Sequence, residues 1–122
     1  MIDDYFSILK VSSDNMLSGV VRICLNPDSS VYKGHFPGEP VSPGVCNLEM
    51  IRRCAAAVHH QPLRILRIKQ CRMTSVMTPD TTPQADVNIT LQETVPGVYR
   101  ITAAIENGNV SYLTMKAEVA DE

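Results

Sequence analysis

The residues best suited to chemistry lie in one short stretch, from His35 to Glu49. His35 stands between Gly34 and Phe36 in a proline-rich loop, a rigid and partly apolar setting that suits a base working near neutral pH. Gly44 is expected to begin a helix, so its amide, or a neighbour's, is a free donor that a carbonyl oxygen can approach closely. Glu49 adds a carboxyl group one turn into that helix. A base, an amide donor and a carboxyl group are what elimination of water from a β-hydroxyacyl thioester requires, with no metal or redox cofactor.

Each of these residues also has a purely structural interpretation. A lone histidine such as His35 is often an ordinary surface residue, and Gly44 could simply make a tight turn. Glu49 precedes Arg52 by three residues and Arg53 by four, which is the spacing of a plain helical ion pair. The spacing of the three groups alone is therefore weak evidence for catalysis.

The loop itself has an unusual composition. The segment GHFPGEPVSPG, from Gly34 to Gly44, holds three of the six glycines and three of the eight prolines. A polyproline-like surface connector has a similar composition. A flexible linker, however, uses Ser and Gly rather than a proline at every third position. We interpret the segment as a loop held in one shape at the start of a helix.

Composition limits the classes of function. The chain has 122 residues, 44% of them hydrophobic and 20% charged, which predicts one globular domain over residues 1–122. The net charge of -2 disfavours a nucleic-acid binder. The longest apolar run, Cys54 to Val58, is too short to span a bilayer, and the acidic start has no features of a signal peptide. The four cysteines form no metal-binding pattern, so we expect buried free thiols in a reducing compartment, the cytoplasm.

One segment carries an uneven charge. Residues 50–79 contain no Asp or Glu but hold six of the eleven basic residues. This basic block consists of Arg52, Arg53, Arg64, Arg67, Lys69 and Arg72. It is either a solvated basic face or a docking surface for an acidic partner or a phosphorylated ligand.

The order of predicted elements indicates the fold. Strands are predicted over residues 5–12 and 16–26, with a turn at Ser12 to Asn15, and then over residues 63–74, 84–93, 98–106 and 110–119. A helix is predicted from the apolar spacing of Val45, Leu48, Ile51, Ala55 and Val58. His59 and His60 suit its C-terminal end, and Pro62 stops it. Two strands, one helix and four strands predict an α+β hot-dog fold, an antiparallel sheet wrapped around one long central helix. A free sheet edge predicts dimerisation.

Strand details follow from side-chain alternation. Ala85, Val87, Ile89 and Leu91 should face the core, and Leu66 and Ile68 should share one face of their strand. For the last hairpin, a three-residue loop closed by Glu106 and Val110 pairs Ala103 with Leu113 and Ile101 with Met115. We prefer this register to a two-residue Asn-Gly turn because both apolar faces then agree.

The segment GHFPGEPVSPGVCNLE resembles the signature of the hot-dog-fold β-hydroxyacyl-acyl-carrier-protein dehydratases. That signature runs approximately G-H-F-P-G-x-P-x-x-P-G-V-x-x-x-E, and every fixed position from Gly34 to Glu49 is filled. The resemblance implies that His35 and Glu49 are the catalytic pair and that Gly44 polarises the thioester carbonyl. We also expect Phe36 and Arg53 to contact the substrate.

The resemblance also implies partners. In that family the acyl chain rides on the phosphopantetheine of an acidic carrier protein, which gives the basic block a natural partner, and no other cofactor is expected. The family's active site is shared in a homodimer, with the loop histidine of one chain facing the helix carboxylate of the other. The sequence is compatible with either a homodimer or a larger homo-oligomer.

Two departures distinguish this chain from the family. Arg53 stands where the family commonly has Gln, and a cation there favours ionised Glu49. The chain is also compact, with little sequence before the first strand. A hot-dog acyl thioesterase and a catalytically weak acyl-carrier-binding subunit are therefore kept as alternatives.

Overall fold

The computed structural model describes residues 2–32 and 44–122. Its one α-helix, α1, runs from Gly44 to His59, and short 3₁₀ turns occupy Ile2–Asp4 and Ser30–Tyr32. The strands are β1 (Phe6–Asn15), β2 (Ser18–Leu25), β3 (Leu63–Met73), β4 (Gln84–Val95), β5 (Val98–Asn107) and β6 (Val110–Asp121). The predicted element order is therefore confirmed, with strand ends that differ by a few residues. No helix within the described ranges is long and apolar enough to cross a membrane.

All six strands form one antiparallel sheet in the order β1-β2-β4-β5-β6-β3. The helix packs against β1, β2, β3 and β4, so its buried stripe and the inner face of the sheet make the core. The four core positions predicted on β4, Ala85, Val87, Ile89 and Leu91, are all buried. Because β1 and β3 each pair with a single strand among the described residues, both are edge strands there.

The buried stripe of α1 is rotated from the prediction. Ile51, Ala55 and Val58 are buried as expected, but Val45 is 73% exposed. Asn47 takes part in the stripe instead, at only 5% exposure. A buried asparagine is not an apolar position, so a pattern based on hydrophobicity alone could not assign the start of this face.

The last hairpin has a different register from the predicted one. Asn107 pairs with Val110 across a two-residue turn in which Gly108 has a φ of 59°. A register shift follows on β6, after which Ala103 faces Met115 and Ile101 faces Ala117. The predicted pairs were therefore wrong by two residues. The bulge turns Tyr112 inward beside Leu113, which no regular alternation predicts.

One further prediction needs correction, and β3 is less regular than the sequence suggests. The segment from Ser12 to Asn15 continues β1, and the chain reverses at residues 16–17 instead. In β3, register shifts lie between Ile65 and Arg67 and between Ile68 and Gln70. These bulges interrupt the regular alternation of side chains along β3, and Leu66 and Ile68 are both more than 40% exposed.

The helix ends at a buried histidine. His59 Nδ1 lies 2.9 Å from the Met16 carbonyl oxygen, and Nε2 lies 3.0 Å from Asp121 Oδ1. The ring also packs edge-on against Tyr99. His60 follows with a φ of 61°, so it ends α1 in the left-handed conformation that a glycine usually adopts. His59 thereby joins the β1–β2 turn and the end of β6 to the helix.

Candidate active site

Three of the predicted catalytic and substrate-binding residues lie on α1, within the described residues. Gly44 is the first residue of the helix, Glu49 lies in its second turn, and Arg53 follows one turn after Glu49. His35 and Phe36, with the rest of residues 33–43, lie outside the described residues. Their roles therefore stay predictions.

Gly44 combines an N-terminal amide with a restricted space. As the first helical residue it has an amide without an intrahelical partner, at the positive end of the helix dipole. A Cβ at this position would lie 2.9 Å from Met73 Cε and 3.3 Å from its Sδ. A side chain here would therefore have to displace Met73, whereas glycine leaves the backbone accessible.

Glu49 is held on two sides of its carboxylate by Arg52. Arg52 Nε donates to Oε1 at 2.8 Å and to Oε2 at 3.0 Å, and Nη2 donates to Oε1 as well. Arg52 Nη1 donates to the carbonyl oxygen of Leu63 at 2.9 Å, which fixes the guanidinium against the start of β3. The hydrogen bonds from Arg52 are the main reason that the pKa of Glu49 is lowered. Glu49 is thus an anionic acceptor, with 31% of its side chain exposed.

Arg53 contributes less to this arrangement than the sequence suggested. Its Nε lies 3.4 Å from Glu49 Oε1, while its Nη2 bonds Asp3 Oδ1 at 2.9 Å. The expectation of an ionised Glu49 agrees with the direction of its pKa shift, but Arg52 is the principal cause and Arg53 a lesser one. Sequence spacing alone could not rank the two, because i+3 and i+4 positions both reach the same carboxylate.

A cavity of about 250 Å³ opens next to the start of the helix. It is lined by Asn47, Met73, Thr74, Ser75, Val76, Met77 and Tyr112. The Tyr5 hydroxyl donates to Asn47 Oδ1 at 2.5 Å, which fixes the orientation of the buried amide. The hydroxyl of Tyr112, another lining residue, accepts a hydrogen bond from the Thr82 hydroxyl at 3.0 Å. Asn47 and Tyr112 were not singled out from the sequence; the only signal was an amide within an apolar helical stripe.

Glu49 and this cavity lie on different sides of the helix. Successive residues of an α-helix are about 100° apart around its axis, so Asn47 and Glu49 are separated by about 200°. Asn47 faces the sheet and the cavity, while Glu49 faces the first residue of β3 through Arg52. The described part of the chain therefore does not bring the Glu49 carboxylate to its own cavity.

The second 3₁₀ turn, Ser30–Tyr32, leads directly into the segment that contains His35. Asp4 holds this turn: its carboxylate accepts from the Ser30 amide at 2.8 Å and from the Ser29 hydroxyl at 2.8 Å. These hydrogen bonds, led by the Ser30 amide, lower the pKa of Asp4. The residues that precede the His35 segment are thus bonded to the N-terminal segment of the chain.

The basic block is only partly available to a partner. Arg52 and Arg53 are engaged with Glu49 and Asp3. On β3, Arg67 and Lys69 share the Glu118 carboxylate, at 3.0 and 3.8 Å. Among residues 2–32 and 44–122, the two members without an ion pair are Arg64 and Arg72, both exposed.

The described residues contain neither a metal-binding cluster nor a disulfide. No group of three or more His, Cys, Asp or Glu side chains in those ranges could hold a metal ion. The four cysteines are free thiols, but only Cys46 and Cys54 are buried, since Cys24 is half-buried and Cys71 exposed. Burial raises the pKa of the Cys54 thiol to about 12. The expectation that all four are buried is therefore wrong for two of them.

The sheet order and the single long helix against the sheet define a hot-dog protein. The family model of the ApeI-like proteins, described as ApeI dehydratase, matches residues 11–111. The chain therefore belongs to the ApeI-like dehydratase family.

Two individual relatives align with part of this chain at low sequence identity. A 3-hydroxyacyl-[acyl-carrier-protein] dehydratase FabZ from Rhizobium rhizogenes is 35% identical over 51 residues, 42% of this chain and 31% of that protein. A protein of the same name from Erythrobacter litoralis is 25% identical over 99 residues, 74% of this chain and 66% of its own length. The chain thus aligns with about one third and just under two thirds of these relatives.

A solved structure supports the fold. The dehydratase heterocomplex ApeI:P from Xenorhabdus doucetiae superimposes with a TM-score of 0.74 over 93% of this chain and 96% of that one. The sequence identity is 14%, so this likeness concerns the fold alone. The hot-dog fold predicted from the sequence is confirmed.

Proposed function

We propose that the protein removes water from a 3-hydroxyacyl thioester on an acyl carrier protein and forms the trans-2-enoyl thioester. The observation that carries this proposal is the carboxylate of Glu49, held ionised by Arg52 five residues after the first amide of α1. Membership of a dehydratase family supports the reaction class.

The proposed steps balance without a further reagent. His35 takes the proton from the α-carbon, and the electron pair moves toward the thioester oxygen, which the amide at the start of α1 stabilises. The bond between the β-carbon and its hydroxyl then breaks as the double bond forms. The imidazolium returns its proton to the departing hydroxide, so water leaves and His35 is neutral again. Glu49, as an anionic acceptor, orients the hydroxyl before it departs.

We further propose that the site is shared between two copies of the chain. Glu49 points away from the cavity of its own chain and toward the start of β3. β3 is an edge strand, and its exposed residues include the apolar side chains of Leu66, Ile68 and Met73. Pairing of two copies along this edge covers those side chains and brings the partner chain near Glu49.

Mass spectrometry of the carrier-bound product tests the reaction. The purified protein, incubated with a 3-hydroxyacyl carrier protein, should remove one water and leave the thioester intact. Release of the free acid would identify a thioesterase, an alternative that the ionised Glu49 favours because a carboxylate can activate water. Tight binding without turnover would identify the third alternative, an acyl-carrier-binding subunit of little activity.

A further inference from the structure

Arg52 makes more contacts than a helical ion pair requires. Its guanidinium bonds both carboxylate oxygens of Glu49 and, through Nη1, the carbonyl oxygen of Leu63. A surface pair at i,i+3 spacing has no such third contact and contributes little to stability. About three quarters of the Arg52 side chain is covered, at 26% exposure. The planar group is therefore fixed between the helix and β3 before any substrate binds.

We propose that Arg52 is a positioning residue, which holds Glu49 in one orientation and in its anionic form, so that Glu49 accepts a hydrogen bond from the substrate hydroxyl and does not donate a proton. This inference rests on the proposed function. It assigns the control of Glu49 to a residue outside the GHFPGEPVSPGVCNLE segment.

The charged groups around Glu49 agree with this assignment. On its own helix these are Arg52 and Arg53, and the second is also paired with Asp3 from the N-terminal 3₁₀ turn. Glu122, the residue after β6, also acts electrostatically on Arg52. Its negative charge raises the pKa of Arg52, as does the carboxylate of Glu49. Both nearest groups are cations, so the surroundings favour the ionised form of Glu49.

Three variants separate charge from geometry. Arg52→Gln removes both the charge and the two-point contact, Arg52→Lys keeps the charge but loses the planar fork, and Arg53→Gln is the matched control on the next residue. Chemical unfolding of each protein identifies any variant that fails to fold. If Arg52→Gln does not fold, Arg52→Lys still tests whether the planar guanidinium positions Glu49.

The first measurement needs no turnover. Carbon-13 NMR of the Glu49 carboxyl should show its titration at higher pH in Arg52→Gln than in the unaltered protein, because a stabilising cation is lost. Arg53→Gln should move it less, and Arg52→Lys should leave it near the original position. The Arg52 Nε–H resonance should be protected from exchange and lose that protection in Glu49→Gln. An unmoved titration in Arg52→Gln, or an equal shift in Arg53→Gln, overturns the proposal.

The second measurement is the pH profile of kcat/KM for a 3-hydroxyacyl thioester. The acidic limb should move to higher pH in Arg52→Gln, since Glu49 then loses its charge sooner as the pH falls. On the plateau, both Arg52 variants should have a lower kcat by up to about 100-fold, because the carboxylate is no longer oriented. A wild-type plateau in Arg52→Lys overturns the positioning role. If the unaltered protein does not dehydrate the substrate while the NMR results are as expected, the proposed function fails and the control of Glu49 by Arg52 stands.

Discussion

His35 and His59 illustrate how different the roles of two histidines in one small chain can be. His59 is 6% exposed, and its two ring nitrogens lie against the Met16 carbonyl and the Asp121 carboxylate. Its contacts are therefore with the fold, and no described neighbour is a group that we assign to the reaction. His35 belongs to the segment that matches the dehydratase signature, and it is our proposed base.

Replacement of His35 by Ala should remove most of the activity and leave the fold intact. Loss of a general base typically reduces the rate by about 10²–10⁴-fold. The measurement is kcat/KM for a 3-hydroxyacyl thioester, together with a chemical unfolding curve. The exposed His60 offers a matched control: His60→Asn keeps a residue that tolerates the left-handed conformation and should retain full activity. More than half of the original kcat/KM in His35→Ala would refute the assignment.

At this scale the sequence predicts the positions of Gly44 and Glu49 better than it predicts the packing around them. The spacing of Gly44 and Glu49 placed both on one helix, as the structure has them. Asn47 was missed because burial of an amide depends on Tyr5, which is 42 residues away in the chain. The rank of Arg52 over Arg53 was missed for a related reason: it depends on the Leu63 carbonyl and on Asp3, contacts that tertiary structure alone creates.

Among the elements, the short turn Ser30–Tyr32 depends on one carboxylate. Asp4 accepts hydrogen bonds from Ser29 and Ser30, and its pKa is lowered mainly by the Ser30 amide. A carboxyl group whose pKa is lower in the folded state stabilises the fold above its unfolded value, and this contribution is lost as the pH falls through the folded value.

Asp4→Asn should therefore reduce the free energy of unfolding at pH 7 and have little effect below the folded-state pKa of Asp4. Urea unfolding of both proteins across the acidic range measures this difference. Asp3→Asn in the turn Ile2–Asp4 is a useful comparison, because the neighbouring Asp3 pairs with Arg53 and not with Ser29 or Ser30. A difference between Asp4→Asn and the original protein that stays constant with pH would contradict the account.

The end of α1 depends on His59 in a similar way. His59→Phe keeps an aromatic ring against Tyr99 but removes the ring nitrogens that contact the Met16 carbonyl oxygen and Asp121 Oδ1. We expect a loss of about 1–3 kcal/mol in the free energy of unfolding. His60→Asn at the next, exposed position should change it by less than about 0.5 kcal/mol. Equal values for the two variants, measured by denaturant unfolding, would show that the buried hydrogen bonds contribute nothing.

The strands show where sequence patterns reach their limit. Alternation located all six strands and the inward face of β4, because side-chain direction follows a period of two. The β5–β6 register was wrong, because a bulge inserts a residue that this period does not contain. The bulge near Tyr112 is stabilised by contacts such as the hydrogen bond from Thr82, which lies in a different part of the chain.

For the whole molecule, charge should guide the approach of an acidic carrier protein. Arg64→Glu combined with Arg72→Glu should raise the KM for a carrier-bound substrate by about tenfold or more at low salt, because these cations have no described acidic partner. Arg67→Glu with Lys69→Glu should have a smaller effect, since Glu118 already neutralises part of that charge.

Salt and a small substrate provide the controls for this prediction. Raising the ionic strength should reduce the difference between the variants and the original protein, since exposed charges are screened. A short thioester without the carrier protein should be turned over at similar rates by all three proteins. Equal losses on both substrates would indicate damage to the fold instead of a lost docking surface.

A shared site makes a quantitative prediction about mixed dimers. Two inactive proteins, His35→Ala and Glu49→Gln, are unfolded, mixed in equal amounts and refolded. Random pairing makes half of the dimers mixed, and each mixed dimer has one intact and one doubly altered site, so about a quarter of the original activity should return. Native mass spectrometry first establishes that mixed dimers form. If they form and stay inactive, both residues act within one chain.

The position of β3 at the edge of the sheet affects the order in which the strands can pair during synthesis. β3 follows the helix directly, yet within the described ranges its one paired strand is β6, whose partner residues lie 40 to 58 positions later in the chain. Contacts between distant segments form slowly, and a chain folds from its N-terminal side during synthesis. Until β6 is released from the ribosome, β3 has no strand to join, and both of its backbone edges are open to other nascent chains. β6 joins β3 to β5 and brings Asp121 to His59, and it thereby reduces the two open edges of β3 to one.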